Sequence, residues 1–562
     1  GMAQPAHRSL PQNFRYERRL GLILHFEHRV LYCPMSLSLI ALLALPLFHM
    51  VTLPRLFSRA GLTSWHGYIP GLNYWVLLGM LKRPKVWMLP LLFPGPNLLM
   101  ATILHVEIGI AFGKRSTPLQ WLFGALPWGA LPWLAFADDA AFLGPRDWTN
   151  VKKTWRREWS EAILWATVVA SLIRGYVFEA FQIPTASMED SMLVGDYLVV
   201  SKMSYGAKLP ETPLSLPFVH NAIPKTALKN SYLEWVKLPY QRLPGFGSVD
   251  RYDAVVFNFP NGDSIVVDAY LAGHDYHALI RQRAMGFAGG DPVAYEADRG
   301  RFNDMARKDW RRTHGIKPRP VDKKEHYVKR CVGLPGEDLA IVDRKLIIDG
   351  QEVASPPGLQ FNYLVRLKRE ADLRIIRERL GLTDIDIQGK GGGGTYFMAL
   401  REDEAALLES QDMVAEIKLF DSTSRRGTLD MYPNTNKFDF ATWDLDNYGP
   451  IHLPEAGETV DLTPRNVMLY KRVITAYEGH TLEERDGVVL LDGAPASTYT
   501  FAQGYYWLMG DNRHSSADSR YWGFVPEDHV VGKASFTWFS KMNVEQHGES
   551  GVRWDRMFKS VK

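Results

Sequence analysis

The feature that most constrains the fold is a change in texture partway along the 562-residue chain. Residues 35–182 are rich in Leu, Trp, Phe and Pro, whereas residues 185–562 have the sequence pattern of a soluble domain. A helix needs about 20 apolar residues to cross the hydrocarbon of a membrane. Apolar stretches close to this length or longer recur at about 35–56, 65–81, 86–112, 118–137 and 161–182. The sequence therefore predicts a helical membrane domain followed by a soluble domain.

Basic residues set the predicted orientation of the membrane domain, because they favour the cytoplasmic side. Four of them directly precede the last apolar stretch: Lys152, Lys153, Arg156 and Arg157. The soluble domain then lies outside, and an arginine-rich N-terminus inside requires an odd number of crossings. Five crossings satisfy this, although Pro70 interrupts the second stretch and Pro127 and Pro132 interrupt the fourth. Three crossings with one or two interfacial segments are the alternative.

The soluble part has the pattern of a mainly antiparallel β domain. Short alternating apolar runs separated by Gly, Pro and Asp are typical of β-strands. Five such runs are Tyr197–Val200, Ala254–Phe257, Tyr327–Val332, Leu346–Ile348 and Val488–Leu491. Strong helical periodicity is present only around 366–381 and 402–414, which predicts a small α+β insertion within the β domain.

The composition excludes several classes of function. A net charge of +3 gives no electrostatic basis for binding nucleic acid. Cys33 and Cys331 are the only cysteines, no disulfide is expected between them, and no Cys/His cluster has metal-ligand spacing. Gly391–Gly394 is followed by Thr395 with no Lys, which predicts a flexible loop rather than a phosphate cradle. The chain is therefore expected to work without a metal or other cofactor.

Three segments of the soluble part are candidates for function, and the first covers residues 181–196. It begins where the last apolar stretch is expected to end, because Pro184 breaks a helix and extends the residue before it. Small residues on both sides of Ser187 leave its hydroxyl and its backbone N–H approachable. A serine in this position is expected close to the membrane surface.

The second segment covers residues 326–338. In a strand, Tyr327, Lys329 and Cys331 share one face, and Arg330 points to the opposite face. A lysine held on an apolar face loses hydration, which lowers its pKa from about 10.4. Lys329 is therefore predicted to be a base that accepts a serine proton near neutral pH.

The third segment, residues 510–526, is a polar run between apolar strands and is dense in hydrogen-bond donors and acceptors. A run of this length is as often a solvated loop as a functional one. On its own it leaves both interpretations open.

Together the three segments resemble the sequence boxes of the type I (leader) signal peptidases. Residues 251–258 match a fourth, structural box of that family. Four blocks in the family's order are more specific than any single motif. The resemblance is closest to the Bacteroidota-type members, which have extra N-terminal membrane helices. It covers the last apolar stretch and the start, middle and end of the soluble domain.

The resemblance implies a Ser–Lys dyad, one of the variants of the serine-protease arrangement. Ser187 matches the nucleophile and Lys329 the general base, while Ser516 matches the serine whose hydroxyl orients the lysine. Thr185 takes the place of the side-chain oxyanion donor, beside the backbone N–H of Ser187. The other matched residues are an ion pair, Asp518 and Arg520, and the wall of the shallow apolar substrate pockets, Phe181, Ile183, Tyr327 and Val328.

The fold class that follows is an N-terminal α-helical transmembrane bundle, then a mainly antiparallel β catalytic domain of the signal-peptidase type with a small α+β insertion. The expected segments are a cytoplasmic N-terminal segment (1–34), a multi-helix membrane domain (35–158), a final transmembrane anchor helix (159–182), the first part of the catalytic domain (183–349), the inserted lobe (350–465) and the C-terminal part of the catalytic domain (466–562).

The implied function is cleavage of N-terminal signal peptides from exported preproteins. The expected location is the cytoplasmic (inner) membrane, as a multi-pass protein with its catalytic domain on the periplasmic side. The expected partners are preprotein signal peptides and membrane lipid, without nucleic acid. The inserted lobe is expected either to stabilise the fold or to contact the protein translocation machinery.

The sequence departs from the family pattern at two places. The common pattern Ser-Met-x-Pro-Thr-Leu is here Ser187–Met192, with Asp190 in place of the proline, which leaves the local turn open. His514 stands where many members have Asp and admits a Ser–His mechanism. The intact lysine segment and the lack of an evident Asp partner for His514 favour the Ser–Lys mechanism.

Residues 470–473 imitate residues 327–330, so Lys471 is an alternative base. Only the first copy is followed by Gly-Leu-Pro-Gly-Glu-Asp, which favours Lys329. Two other functions stay open: a self-cleaving regulator with the same Ser–Lys chemistry, and an inactive membrane scaffold. The predicted membrane bundle disfavours the regulator, and the intact pair of Ser187 and Lys329 disfavours the scaffold.

Overall fold

A computed structural model describes residues 48–146 and 154–561, apart from residues 225, 227–228, 261, 263, 269, 357, 371, 381, 383–385, 486 and 543–549. The predicted cytoplasmic segment, most of the first apolar stretch, Cys33, Lys152 and Lys153 lie outside the described residues. The chain divides into two compact units. The first unit comprises residues up to 169 together with Pro210–Pro217 and Tyr232–Pro239, and the second comprises the remainder.

The first unit is built mainly from short helices. Proline begins two of them, where its missing N–H would have no partner in any case. The helices pack around an apolar core that includes Leu56, Leu78 and Leu104. Their bounds are 48–59, Leu72–Met80, Met88–Leu91, Pro96–Ala111, Thr117–Ala125 and Pro127–Phe136.

None of the helices within 48–146 and 154–561 is both long enough and apolar enough to cross a membrane. The stretch at 86–112 contains a helix of only 16 residues, Pro96–Ala111. The stretch at 118–137 is divided at Pro127 into two helices of 9 and 10 residues. Trp155–Tyr176 has 22 residues but carries several charged side chains. The expected bundle of spanning helices is therefore not supported by the described part of the chain.

The helix Trp155–Tyr176, which contains most of the last apolar stretch, also ends earlier than predicted. It was expected to run to residue 182, but it ends at Tyr176, and Phe178–Gln182 forms a β-strand. This strand pairs antiparallel with Asp196–Ser201, in a register that places Phe178 opposite Ser201. Pairing with a neighbouring strand satisfies the backbone hydrogen bonds that a continued helix would have made, so Pro184 follows a strand rather than ending a helix.

The second unit consists mainly of antiparallel β-strands. In chain order they are β1 (Phe178–Gln182), β2 (Asp196–Ser201), β3 (Ala254–Asn258), β4 (Ser264–Val266), β5 (Ile316–Pro318), β6 (His326–Gly333), β7 (Asp338–Val342), β8 (Lys345–Ile348), β9 (Gln351–Glu352), β10 (Phe361–Leu367), β11 (Ile387–Lys390), β12 (Thr395–Leu400), β13 (Val414–Leu419), β14 (Tyr448–His452), β15 (Thr459–Asp461), β16 (Leu482–Arg485), β17 (Val488–Leu491), β18 (Ala494–Pro495), β19 (Thr498–Thr500), β20 (Tyr505–Met509), β21 (Val525–Pro526), β22 (Val530–Met542), β23 (Gly551–Val552) and β24 (Lys559–Ser560).

The central sheet has the strand order β1-β2-β22-β3-β6-β20-β21, with β23 and β24 paired to β22. Every pairing in it is antiparallel, so the predicted mainly antiparallel β domain is confirmed. All five strands expected from the alternating runs are present. The strand β6 lies between β3 and β20 in the interior of this sheet.

The predicted α+β insertion is present but smaller than 350–465. A four-stranded sheet of order β11-β12-β10-β13 packs with helices Asp372–Leu380 and Glu402–Glu409 around its own apolar core. Residues after β13 instead join the main core, where Tyr432, Trp443 and Tyr448 pack with Trp507. The apolar residues of 431–453 therefore belong to the main core of the second unit.

Three helices between β4 and β6 were not predicted: Tyr276–Phe287, Pro292–Ala297 and Arg299–Thr313. Each begins at an aspartate whose side chain accepts a hydrogen bond from a backbone N–H of the first turn, a favourable N-cap. The last of them is strongly polar, which hides its periodicity in the sequence. Two further short helices are Pro464–Arg472 and Ser519–Trp522.

We expect Trp507→Ala to lower the free energy of unfolding by about 3–5 kcal/mol, because Trp507 is fully buried and its removal leaves a cavity. Chemical denaturation followed by circular dichroism measures the change. Trp554→Ala is the matched control, since Trp554 is 73% exposed, and a change within about 0.5 kcal/mol is expected there. Equal effects of the two substitutions would contradict this description of the core.

Candidate active site

A short loop after β1 carries Ser187. Residues Ala186–Met188 form a single 3₁₀ turn. The base of the loop is closed by the backbone N–H of Ile183, which donates to the carbonyl oxygen of Asp196 at 2.8 Å. The side chain of Met188 is fully buried, so the residue next to Ser187 is anchored in the apolar core. These contacts hold Ser187 in one position.

Lys329 lies on β6, in the interior of the central sheet. Val255 of β3 is its partner in register. Tyr327 and Cys331, two residues before and after Lys329 on the same strand, belong to one apolar cluster. Lys329 itself is only 4% exposed. The amine is therefore surrounded by the sheet rather than by water, as the alternation of the sequence predicted.

The fold brings Ser187 and Lys329 together from positions 142 residues apart. Lys329 Nζ donates a hydrogen bond to Ser187 Oγ at 2.6 Å and another to the carbonyl oxygen of Val328 at 3.1 Å. Burial lowers the pKa of Lys329 to about 8, while Asp518 and Asp511 act in the opposite direction. Near this pH much of the amine is uncharged and able to accept a proton from the hydroxyl.

Thr185 also lies close to the Ser187 hydroxyl. Its Oγ1 is 3.5 Å from Ser187 Oγ. The backbone N–H of Ser187 makes no hydrogen bond within the part of the chain that the structure describes. Two donors therefore stand beside the serine oxygen with capacity to bind a negatively charged oxygen.

Ser516 lies near this group but differs in its contacts from the prediction. It is buried, and its Oγ has no hydrogen-bond partner among the described residues, including Lys329. A Cβ built on Gly510 would come within 2.2 Å of Ser516 Oγ and 2.4 Å of the Ser187 carbonyl oxygen. Ser516 and Ser187 therefore flank Gly510, where only glycine fits, and the orienting role of Ser516 stays a prediction.

The predicted ion pair of the third segment is present and fully buried. Arg520 Nη2 lies 2.8 Å from Asp518 Oδ2, and the side chains are 1% and 0% exposed. Burial acts to raise the pKa of Asp518, but the charge of Arg520 and its hydrogen bonds outweigh this and lower it. Asp518 also accepts from the backbone N–H of Gly510 at 3.2 Å, so the pair holds the start of the third segment against its middle.

A second buried ion pair was missed by the sequence analysis. Arg330 donates to Asp511 through Nε at 2.7 Å and through Nη2 at 2.6 Å, with the side chains 1% and 0% exposed. Arg330 also donates to the carbonyl oxygen of Tyr252 and to Ser191 Oγ. The available signal was that Arg330 shares its strand face with two valines, since a buried arginine needs a buried partner.

Asn512 is a further residue that the sequence analysis missed. Its backbone N–H donates to the carbonyl oxygen of Ser187 at 3.2 Å, and its side-chain amide donates to that of Ala186 at 3.3 Å. The third segment therefore binds the backbone of the nucleophile loop directly. The density of donors in residues 510–526 was the only sign of this contact in the sequence.

The four predicted pocket residues separate into two groups. Ile183 is buried in one cluster, and Phe181 and Val328 pack against it partly buried. Tyr327 belongs to a different cluster and stacks on Phe259, with ring centroids 4.3 Å apart. Three of the four residues therefore form one apolar wall beside the nucleophile loop, and the fourth forms part of another.

The loss of the family's proline is explained by the backbone at Asp190. This residue has a φ of 70°, whereas proline fixes φ near −65°. Aspartate is among the residues that tolerate this left-handed conformation. Asp190 Oδ1 also accepts a hydrogen bond from Arg401 of the inserted lobe at 3.0 Å. The turn after the nucleophile thus differs from one that a proline would form.

His514 has an aspartate partner, so the expected absence of one was wrong. His514 Nε2 lies 2.8 Å from Asp446 Oδ1, and the backbone N–H of Asn362 donates to Nδ1 at 3.2 Å. The partner was not evident because Asp446 lies 68 residues away in the sequence. Both ring nitrogens are occupied by residues other than Ser187, which leaves no place for a Ser–His contact.

Lys471 does not lie in a strand, although its sequence resembles that of the strand that carries Lys329. It is near the end of the helix Pro464–Arg472 and is exposed. The neighbouring Arg472 pairs instead with Asp275 at 2.9 Å. Residues 470–473 and 327–330 are therefore similar in sequence but not in structure.

Comparison with known proteins matches these features. The sequence profile of the family described as "Signal peptidase, peptidase S26" matches residues 156–379 and 496–539, which include the loop of Ser187, β6 and the third segment. The profile of a family of unknown function, DUF5684, matches residues 65–145 in the first unit.

Several relatives are named "Signal peptidase I". The protein of Haemophilus influenzae is 23% identical over 395 residues, which is 70% of this chain and 72% of the relative. The protein of Buchnera aphidicola subsp. Schizaphis graminum is 22% identical over 390 residues, 69% of this chain and 77% of the relative. A shorter match to the protein of Aquifex aeolicus is 50% identical over 42 residues, 8% of this chain and 16% of the relative. With the serine and lysine segments inside the matched regions, the family profile and these relatives support the assignment of the chain as a bacterial type I signal peptidase.

Proposed function

We propose that this protein is a serine endopeptidase that cleaves N-terminal signal peptides from exported preproteins, with Ser187 as nucleophile and Lys329 as general base. The observation that carries the proposal is the 2.6 Å contact between Ser187 Oγ and a buried lysine amine. A pKa of about 8 for that amine makes it a base in the range where a general base is most effective. The naming of the relatives supplies the substrate class.

In this mechanism the uncharged amine of Lys329 accepts the proton of Ser187 as Oγ attacks the scissile carbonyl. Thr185 Oγ1 and the backbone N–H of Ser187 donate hydrogen bonds to the oxyanion that forms. The protonated Lys329 then gives its proton to the leaving amine, and an acyl-enzyme remains on Ser187. A water molecule, deprotonated by the same lysine, hydrolyses the acyl-enzyme and restores the hydroxyl.

Asp518 and Arg520 are proposed to hold the third segment in place by their buried ion pair. Ser516 is proposed to orient the Lys329 amine once substrate is bound. The wall formed by Phe181, Ile183 and Val328 is proposed to receive the small side chains that precede the cleavage site of a signal peptide. The peptide is proposed to lie extended beside a strand, so that main-chain hydrogen bonds align it with Ser187.

We also propose that the first unit associates with the cytoplasmic membrane and that the catalytic domain works on its outer side. Support comes from large apolar side chains that the unit leaves exposed. Tryptophan is enriched at membrane interfaces. The tryptophans of this unit that are at least 46% exposed include Trp65, Trp75, Trp121, Trp128 and Trp133. Membrane lipid and the translocation machinery are proposed partners, and membership of the Bacteroidota-type group stays a prediction.

Removing either member of the dyad is the central test. We expect Ser187→Ala and Lys329→Ala to abolish cleavage of a preprotein by the full chain in detergent, because each loses a reacting group. Lys471→Ala is the matched control and should retain activity, since Lys471 lies in a separate helix. Cleavage is measured by gel shift of the processed product, with circular dichroism as a check of folding. Full activity of Lys329→Ala would contradict the assignment of Lys329 as the general base.

The pH dependence of kcat/KM should follow the lysine. Since the base must be uncharged, we expect the rate to rise as pH increases through about 8 and then to level off. The profile is measured on wild type between pH 6 and 10, on a substrate without groups that titrate there. A profile that rises near pH 6.5 and disappears in His514→Ala would favour the Ser–His alternative.

Thr185→Val should reduce kcat by about 100- to 1000-fold, because it deletes one oxyanion donor and keeps the shape of the side chain. Thr185→Ser keeps a hydroxyl at the same place and should retain most of the activity. Steady-state kinetics on one preprotein compare the two variants. Equal losses in both would show that the methyl group of Thr185 matters rather than its hydroxyl.

A further inference from the structure

A large cavity lies beside the candidate active site and is not used by the mechanism. Its volume is about 810 Å³, within the range of pockets that enclose small ligands. Its lining comes from the sheet and the third segment and from the helix Tyr276–Phe287 and residues 427–430. Its apolar lining includes Phe259, Leu279, Met285, Tyr327, Leu429 and Trp522.

The cavity reaches the dyad through two of its lining residues. Tyr327 shares a face of β6 with Lys329, and Lys329 Nζ is 5.9 Å from the centroid of its ring. Ala517 follows Ser516 directly in the third segment and is exposed. A group bound in this cavity is therefore separated from the lysine amine by the side chain of Tyr327.

Arg281 lines this cavity without a bound counter-charge. It makes no ion pair or hydrogen bond with any residue that the structure describes. Two carboxylates act on its charge, but Asp275 already pairs with Arg472 at 2.9 Å, and the exposed Asp430 lies 3.6 Å from Arg425. Burial lowers the pKa of Arg281 even though both carboxylates act in the opposite direction. An arginine in this state is stabilised by an anionic group that enters the cavity.

We propose that the cavity binds the part of the substrate that follows the cleaved bond, with an acidic side chain paired to Arg281 and an apolar side chain on the aromatic wall. This inference rests on the proposed function. The apolar wall of Phe181, Ile183 and Val328 is a separate cluster and serves the residues before the cut. The cavity, on the face of β6 that carries Lys329, is then left for the segment attached to the leaving amine.

The test compares two preproteins that differ only in having Glu or Lys within the first five residues after the cleavage site. Wild type should prefer the Glu substrate by about tenfold in kcat/KM, the effect of one charge-assisted hydrogen bond. Arg281→Glu should reverse this preference, so that the Lys substrate has the higher kcat/KM. A loss of stability alone would lower kcat/KM for both substrates and would not reverse the preference between them.

Arg283→Glu is the matched control. Arg283 lies two residues away on the same helix, carries the same charge and pairs with Asp309 at the surface, with its side chain 48% exposed. It should leave the preference between the two substrates unchanged. If Arg283→Glu changed the preference as much as Arg281→Glu, a general effect of surface charge would replace the proposed contact.

A binding measurement separates this inference from the proposed function. A peptide with the mature-side sequence and an acidic residue should bind Ser187→Ala, and the Kd should rise about tenfold in Ser187→Ala combined with Arg281→Gln. If wild type cleaved no preprotein but the peptide still bound in an Arg281-dependent way, the proposed function alone would fail. If cleavage proceeded and neither the substrate preference nor peptide binding depended on Arg281, the inference would be overturned.

Discussion

The buried ion pair between Arg330 and Asp511 is the contact on which the candidate site depends. Arg330 is the strand neighbour of Lys329, and Asp511 belongs to the segment that contains Ser516, so the pair joins the lysine strand to the third segment. The same guanidinium reaches Ser191 in the nucleophile loop. Such a pair adds little net stability. Removing one partner, however, leaves an uncompensated buried charge and typically destabilises the fold by about 3–5 kcal/mol. The geometry of all three segments is therefore coupled through one side chain.

The chemistry of Lys329 follows from where the sheet places it. Its pKa falls because burial in the interior of the sheet removes water, and the charges of Asp518 and Asp511 only partly oppose this effect. Each of those carboxylates is already paired with an arginine, Arg520 or Arg330. The negative charge near the amine is thereby reduced, which keeps the lysine able to lose its proton. A strong ion pair with Lys329 would have made it a permanent cation.

The inserted lobe takes part in the site through contacts at its edges. The backbone of Gln360 accepts from the N–H of Arg513 at 2.8 Å and donates to the carbonyl oxygen of Asp511 at 3.0 Å. Arg401 binds Asp190 three residues after the nucleophile. Of the two roles expected for the lobe, stabilisation of the fold thus has specific contacts to support it.

Local pattern and motif determined a large part of this protein. Alternation along β6 separates Lys329 from Arg330, and small residues around Ser187 with the Lys329 segment indicate the dyad, because strand geometry and residue chemistry are local properties. Tertiary structure alone decided the partners that are distant in sequence: Asp511 for Arg330 and Asp446 for His514. It also decided the end of the last helix at Tyr176, since the competing strand needed β2 to pair with. An apolar run states that a segment is buried, but only packing decides whether lipid, a sheet or a core surrounds it.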